Sequence, residues 1–162
     1  MLEVIQKQIL ILGLGNILLQ DEGLGVRALE RLKTQHTLPE PILTLDGGTM
    51  GINLLPYMIG VTDLLIIDAV NTGEPPGTII RLEGEDIPSA LSLKMSMHQV
   101  GLQELLAAGR FMGSLPEHIV LLGMQPASIE WGDFLSPLVA PTLDNLVSAV
   151  IHELSSWGVS VN

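Results

Sequence analysis

The chain has 162 residues, a length that suits one compact domain, so we predict a single domain over residues 1–162. Hydrophobic residues make up 47% of it, which excludes a generally disordered chain. Seven basic and 18 acidic residues give a formal net charge of -11. We therefore expect neither nucleic acid nor an anionic membrane as a partner, because both are bound largely through Lys and Arg.

The sequence contains no cysteine, which excludes thiol nucleophiles, disulfides, thiolate metal sites and iron–sulfur clusters. The first apolar run, Ile9–Leu14, is short and lacks the flanking features of a signal peptide. No other run approaches the roughly 18 uninterrupted apolar residues of a membrane span. We therefore expect a cytoplasmic protein whose chemistry uses oxygen and nitrogen groups.

Apolar strands and amphipathic helices alternate along the chain. In chain order we predict a strand at Ile9–Leu12, a helix from Leu24 to about His36, a strand at Pro41–Leu45, a short helix from Ile52 that ends at Gly60, a strand at Leu64–Ile67, an edge strand at Thr78–Leu82, a helix from Gln99 to Arg110, a strand at His118–Met124 and a long helix from Leu138 to about Trp157. Polar connections are predicted at Glu83–Ser89 and Gln125–Pro137.

This alternation predicts a three-layer α/β fold, an open and mostly parallel sheet of about five strands with helices on both faces. In such sheets ligands bind beyond the carboxyl ends of the strands, at the point where the strand order reverses. Residues that follow the strands are therefore the candidates for the functional site.

Acidic residues follow three consecutive strands. Asp21 and Glu22 come after the first, Asp46 after the second and Asp68 after the third. Asp21 or Asp46 alone is most often a helix cap or a turn former. Asp68 directly follows an apolar strand, where an unpaired carboxylate is costly, so it needs a cation or several donors.

His98 stands at the start of a predicted helix, where a single histidine is usually an ordinary capping or core residue. Together with Glu22 and Asp68, however, it makes two carboxylates and one imidazole supplied by three separate loops. That set suits a borderline divalent metal such as Zn²⁺ or Ni²⁺ and leaves coordination positions open. No local metal motif accompanies it.

The glycine loops are ambiguous. Gly13 and Gly15 follow a strand, but Leu18 stands where a dinucleotide fingerprint requires its third glycine, so we predict only a sharp loop that leads towards Glu22. Gly47 and Gly48 either form a turn or let an extended peptide approach Asp46. No Ser elbow or Cys supplies a nucleophile, so any hydrolysis uses activated water.

An ordered set of motifs resembles the hydrogenase maturation endopeptidases, the proteases that trim the large subunit of [NiFe] hydrogenases. The resemblance extends from about Gln8 to Trp157. It rests on Gly13–Val26, Asp46–Thr49, Ile67–Ala69, His98–Leu102, Gly123–Pro126 and Leu135–Pro137.

The resemblance implies an endopeptidase that removes a short C-terminal peptide from the large-subunit precursor after nickel insertion, on the C-terminal side of the His or Arg that ends the nickel-binding cysteine motif. The family's metal-contacting residues fall on Glu22, Asp68 and His98. The nickel is carried by the substrate, so an open, weak site is expected, with zinc or cadmium as surrogates in the isolated protein. Asp46, as a base or as a group that orients the peptide, and Asp68 are the candidate catalytic residues.

Three alternatives remain open at this point. A flavodoxin-like or nucleotide-binding module, or a nickel-handling accessory protein, would share the fold without cutting anything. A self-sufficient zinc aminopeptidase or amidohydrolase would hold its own metal and act on short peptides.

The mean hydropathy of the chain is +0.46, which fits either a hydrophobic docking face or a well-filled core.

Overall fold

The computed structural model describes residues 7–91 and 97–162. Its strands are β1 (Ile9–Leu14), β2 (Ile42–Gly48), β3 (Asp63–Ala69), β4 (Ile79–Glu83) and β5 (His118–Met124). Its α-helices are α1 (Leu24–Gln35), α2 (Asp86–Leu91), α3 (Met97–Met112) and α4 (Leu143–Ser156). Short 3-10 helices cover Gln20–Gly23, Gly51–Met58 and Ala140–Thr142.

The five strands form one sheet in the order β2-β1-β3-β5-β4. β1 pairs in parallel with β2 and β3, and β3 pairs in parallel with β5. β4 is an antiparallel edge strand on β5. The predicted mostly parallel sheet with helices on both faces is therefore confirmed.

Alternate residues of the central strands point into two separate cores. Ile9, Ile11, Leu65 and Ile67 pack with α1 and α4 on one face. Leu10, Leu12, Leu64 and Ile66 pack with the Gly51–Met58 helix, α2 and α3 on the other. Because both faces are covered, these strands are apolar at almost every position, which is why the sequence made them easy to find.

Four predicted boundaries were wrong. β2 continues through Asp46 to Gly48 and β3 through Asp68 to Ala69, so these acids lie within the carboxyl ends of paired strands and do not follow them. The predicted connection Glu83–Ser89 contains the start of α2, because Ile87 and Leu91 lie one helical turn apart and are both buried. α4 begins at Leu143, after a 3-10 turn that contains Pro141, and not at Leu138.

α1 packs unusually close to the sheet at Gly25. A Cβ atom there would lie 2.0 Å from the carbonyl oxygen of Ile67 and 2.4 Å from that of Leu14. Only glycine therefore allows the first turn of α1 to rest on the carboxyl ends of β1 and β3. Among residues 7–91 and 97–162, no helix is long and apolar enough to cross a bilayer.

Candidate active site

The carboxyl ends of β1 and β3 diverge because the chain leaves β1 towards β2 on one side and returns to β3 on the other. This is the position at which open α/β sheets bind ligands. The 3-10 helix Gln20–Gly23 follows β1 here, and Asp68 is the last residue but one of β3, which ends here at Ala69. α3 begins here with His98 in its first turn.

Gly15 turns the chain from β1 towards Glu22, as predicted. Its φ is 126°, and a Cβ atom would lie 1.8 Å from the Glu22 carbonyl oxygen. Any other residue would therefore displace the segment that carries Glu22. Gly13 serves differently, because its Cβ position is 2.7 Å from the Gly25 carbonyl oxygen. It allows close packing of α1 and does not supply a turn.

Glu22, Asp68 and His98 meet in one buried cluster, which we call the trio. Nδ1 of His98 lies 2.6 Å from Oε1 of Glu22. Nε2 of His98 lies 2.9 and 3.1 Å from the two carboxylate oxygens of Asp68. The side chains of His98, Glu22 and Asp68 are 3%, 7% and 0% exposed. Three residues that are far apart in the sequence are thus brought into direct contact.

The charges of the trio determine the protonation of His98. Burial by itself lowers the pKa of His98. The charge and hydrogen bond of Asp68, together with the hydrogen bond of Glu22, outweigh this effect and raise the pKa to about 9. At neutral pH the ring is therefore an imidazolium that donates both N–H groups to the carboxylates. The usual pKa of histidine is 6.5, so folding raises the pKa of His98. Protonated His98 therefore contributes its full stabilisation of the fold below pH 6.5, and this contribution is lost as the pH rises through about 9.

We predict that His98 in the metal-free protein titrates near pH 9 and that Asp68→Asn lowers this pKa. The physical reason is that the substitution removes the main opposing charge while burial remains. NMR titration of the ring protons measures both values. Asp63→Asn, which removes a carboxylate from the other end of β3, serves as the control and is expected to leave the His98 titration unchanged. An unshifted His98 pKa in Asp68→Asn would contradict the assignment.

The donor types of the trio suit Ni²⁺ or Zn²⁺, but their arrangement in the free protein is a hydrogen-bonded one. Both ring nitrogens of His98 face a carboxylate, and within residues 7–91 and 97–162 no group of three or more His, Cys, Asp or Glu stands ready to hold an ion. A metal could use His98 only after the ring gave up a proton and one of these hydrogen bonds.

Asp46 lies apart from the trio. It pairs with Gly13, so its side chain is directed to the α1 face, and its Oδ1 accepts a hydrogen bond of 3.0 Å from the Gly48 N–H. Its exposed carboxylate lies on a cleft of about 320 Å³. The cleft is lined by Gly15, Asn16, Ile17, Leu18, Val26, Asp46, Gly48 and Thr49. Asp68, two strands away, instead points to the α3 face, where His98 lies.

Asp21 has a structural task that the sequence did not reveal. Its buried carboxylate accepts hydrogen bonds from the backbone N–H groups of Ala127, Ser128 and Ser136, and from the Ser136 hydroxyl, at 2.7–3.0 Å. It therefore clamps both ends of the loop between β5 and α4, and it is not a helix cap. These partners lie more than 100 residues away in the sequence, so no local sequence pattern predicts the contact.

Two buried amides shape the other side of the site. Gln99 donates from Nε2 to the Ala69 carbonyl oxygen at 2.8 Å, which ties the first turn of α3 to the end of β3. Oε1 of Gln125 accepts the N–H groups of Thr72 and Gly73 and so orders the loop after β3. Both glutamines lie in the motifs that carried the resemblance, but their partners are visible only in the structure.

The protein is a mostly parallel α/β protein with an acid–imidazole cluster at the switch point of its sheet, where such folds bind ligands. A family model described as hydrogenase maturation protease, HycI, matches residues 26–153. The chain belongs to the hydrogenase maturation protease family, whose members are hydrolases that act as endopeptidases.

Individual relatives agree with this membership. The hydrogenase expression/formation protein HupD of Rhodobacter capsulatus is 40% identical over 157 residues, which cover 96% of this chain and 75% of that protein. The hydrogenase 2 maturation protease of Escherichia coli is 40% identical over 153 residues, covering 94% and 93%. The solved structure of the hydrogenase maturating endopeptidase HybD from E. coli superposes with a TM-score of 0.90 at 39% identity, covering 95% and 96%.

Proposed function

We propose that this protein is the cytoplasmic endopeptidase that removes a short C-terminal peptide from the nickel-loaded large-subunit precursor of a [NiFe] hydrogenase. Family membership supports proteolysis in hydrogenase maturation. The observation that carries the finer proposal is the trio, because two carboxylates and an imidazole at one strand edge form a donor set for a divalent ion.

In this proposal nickel belongs to the substrate. The precursor presents its metal to the rim, and His98 exchanges a proton and a hydrogen bond for the ion. Glu22 or Asp68 then completes the coordination. Because the free protein satisfies the trio internally, only a metal ion compensates for the hydrogen bond that His98 gives up, so a precursor without nickel is not bound in this way. Zinc or cadmium bind the same donors as surrogates in the isolated protein.

The chemistry is hydrolysis by water. The substrate-borne nickel polarises the scissile carbonyl or lowers the pKa of a water molecule. Hydroxide adds to the carbonyl carbon, the C–N bond breaks, and the departing amine takes up the proton. Asp68 is the candidate that receives the water proton, since its carboxylate lies at the site and accepts hydrogen bonds from Nε2 of His98.

Asp46 is proposed to orient the peptide. Its exposed carboxylate faces the cleft on the α1 side and contacts none of the trio through the hydrogen bonds of the described residues. Gly47 and Gly48 leave the backbone accessible beside it. Gly15 lines the cleft and lies against the Glu22 backbone. In this proposal, a substrate peptide bound in the cleft passes Gly15 on its way to the trio.

The function is tested by incubating the protein with each [NiFe] hydrogenase large-subunit precursor encoded in the same genome, with and without nickel. We expect a mass loss equal to a C-terminal peptide from one nickel-loaded precursor and none from the metal-free form. An intact nickel-loaded precursor would indicate a nickel-handling module instead. Cleavage of short peptides by protein purified with stoichiometric zinc would indicate a self-sufficient peptidase.

Asp46→Asn is expected to raise KM for the nickel-loaded precursor by about tenfold, because the variant loses a charged hydrogen-bond acceptor for the peptide. The kcat should change much less, since Asp46 lies outside the trio. Steady-state cleavage assays separate the two parameters. Glu117→Gln, at an exposed position near the other end of β5, is the matched control. A wild-type KM in Asp46→Asn would remove Asp46 from the site.

A further inference from the structure

Four large apolar side chains are exposed at the carboxyl rim of the sheet. Ile17 and Leu18 belong to the loop after β1, and Trp131 and Phe134 belong to the loop between β5 and α4. Their exposed fractions are 44%, 52%, 78% and 56%. We call these four residues the apolar ridge. Exposed apolar groups that lie next to one another mark binding surfaces, whereas isolated ones are ordinary.

The two loops of the apolar ridge are joined by backbone hydrogen bonds. The Gly132 N–H donates to the Leu18 carbonyl oxygen, and the Gln20 N–H donates to the Gly132 carbonyl oxygen, both at 2.9 Å. The Phe134 ring lies over Gly132, because a Cβ atom there would be 3.0 Å from it. The two loops that carry the four side chains therefore lie side by side at the carboxyl rim.

Side chains of Arg27 and Asp21 also fix the two loops of the apolar ridge through hydrogen bonds to their backbones. The Arg27 guanidinium donates to the carbonyl oxygens of Ile17 and Asp133, one in each loop. The Asp21 carboxylate anchors the β5–α4 loop at Ser128 and Ser136. A surface that is ordered before binding loses little conformational entropy when a partner arrives.

The apolar ridge borders the proposed active site. Ile17 and Leu18 also line the cleft that contains Asp46. The Glu22 N–H donates to the Leu19 carbonyl oxygen at 3.1 Å, so the segment that carries Leu18 continues directly into the trio. A molecule seated on the ridge therefore lies beside both the cleft and Glu22.

We propose that the apolar ridge binds an apolar patch on the folded part of the large-subunit precursor, outside the peptide that is removed. This inference rests on the proposed function. The cleft has room for an extended peptide, whereas Trp131 and Phe134 lie beyond its lining, where the body of the substrate would rest. A second copy of this chain suits the ridge less well, because each copy carries a net charge of -11.

Binding on the ridge contributes equally to the ground state and the transition state, because it lies away from the scissile bond. The test uses Trp131→Ser and Phe134→Ser, the two ridge positions outside the lining of the cleft, with the nickel-loaded precursor that the wild-type protein cleaves. We expect KM to rise at least about tenfold in each variant while kcat stays within about twofold. Unchanged urea denaturation shows that each variant is folded, and both side chains are exposed enough for this to hold.

Phe111→Ser is the matched control, since Phe111 is 93% exposed near the far end of α3. It should leave KM and kcat unchanged. Unchanged KM in both ridge variants, with active wild-type enzyme, would overturn the ridge while leaving the proposed function intact. A wild-type dimer that Trp131→Ser dissociates without a change in KM would assign the ridge to a second copy and overturn the inference. Failure of the wild-type enzyme to cleave would instead count against the proposed function.

Discussion

Asp68→Asn is expected to lower the rate of precursor cleavage by at least about 100-fold while the protein remains folded. The substitution keeps the size of the side chain but removes one negative charge from the centre of the trio. The amide cannot take up a proton from water, and it ligates a divalent ion far more weakly than a carboxylate does. His98→Gln should act similarly because it removes the imidazole donor. Single-turnover cleavage of nickel-loaded precursor measures both effects.

The chain offers a matched pair of controls on the same strand. Asp63 begins β3, and its Oδ1 lies 3.1 Å from Nδ1 of His118, so it forms a second Asp–His contact about 17 Å from the first. Asp63→Asn and His118→Gln should retain cleavage within about threefold, because this contact lies at the amino ends of the strands. Wild-type processing by Asp68→Asn or His98→Gln would refute the role of the trio.

Asp21→Ala is expected to lower the free energy of unfolding by about 4 kcal/mol. Three backbone N–H groups and one hydroxyl lose their common acceptor. The two donors of Ser136 are buried and those of Ala127 and Ser128 are part-buried, and each donor left unsatisfied is costly. The β5–α4 loop would then lose both of its anchors, and Glu22, the next residue in the chain, would lose its support. Urea denaturation followed by circular dichroism gives the loss of stability directly.

Two further variants grade this prediction. Ser136→Ala removes one of the four hydrogen bonds and should cost about 1 kcal/mol. Asp133→Ala changes an exposed aspartate in the same loop and should stay within about 0.5 kcal/mol of the wild-type protein. If Asp21→Ala were no less stable than Asp133→Ala, the hydrogen bonds of Asp21 would not contribute to the free energy of unfolding.

Stability and function are linked at this edge of the sheet. Asp21 and Glu22 are adjacent, and one carboxylate orders a distant loop while the other faces His98. The loop that Asp21 orders carries Trp131 and Phe134 of the apolar ridge. The variants of Asp21 are therefore expected to lose precursor cleavage because the site loses its support, whereas those of Asp68 and His98 lose cleavage even though the protein remains folded.

Much of the fold could be predicted because burial on both faces of a parallel sheet leaves a strong local pattern. The continuous apolar run Leu64–Ile67 identifies β3, and the helical spacing from Leu24 to Leu32 identifies α1. Acids at successive strand ends, together with the rule that parallel strands end at one edge, predicted Glu22 and Asp68, and His98 joined them as an imidazole at the start of a helix. The identity of the residues in the trio could thus be predicted from the sequence.

What only the tertiary structure decided is how these groups face one another. Asp46 and Asp68 look alike in the sequence, but strand register directs one to the α1 face and the other to α3. Asp21 resembles a helix cap, yet it binds backbone groups more than 100 residues away. Side-chain direction depends on pairing and packing between distant segments, and no local pattern records those contacts.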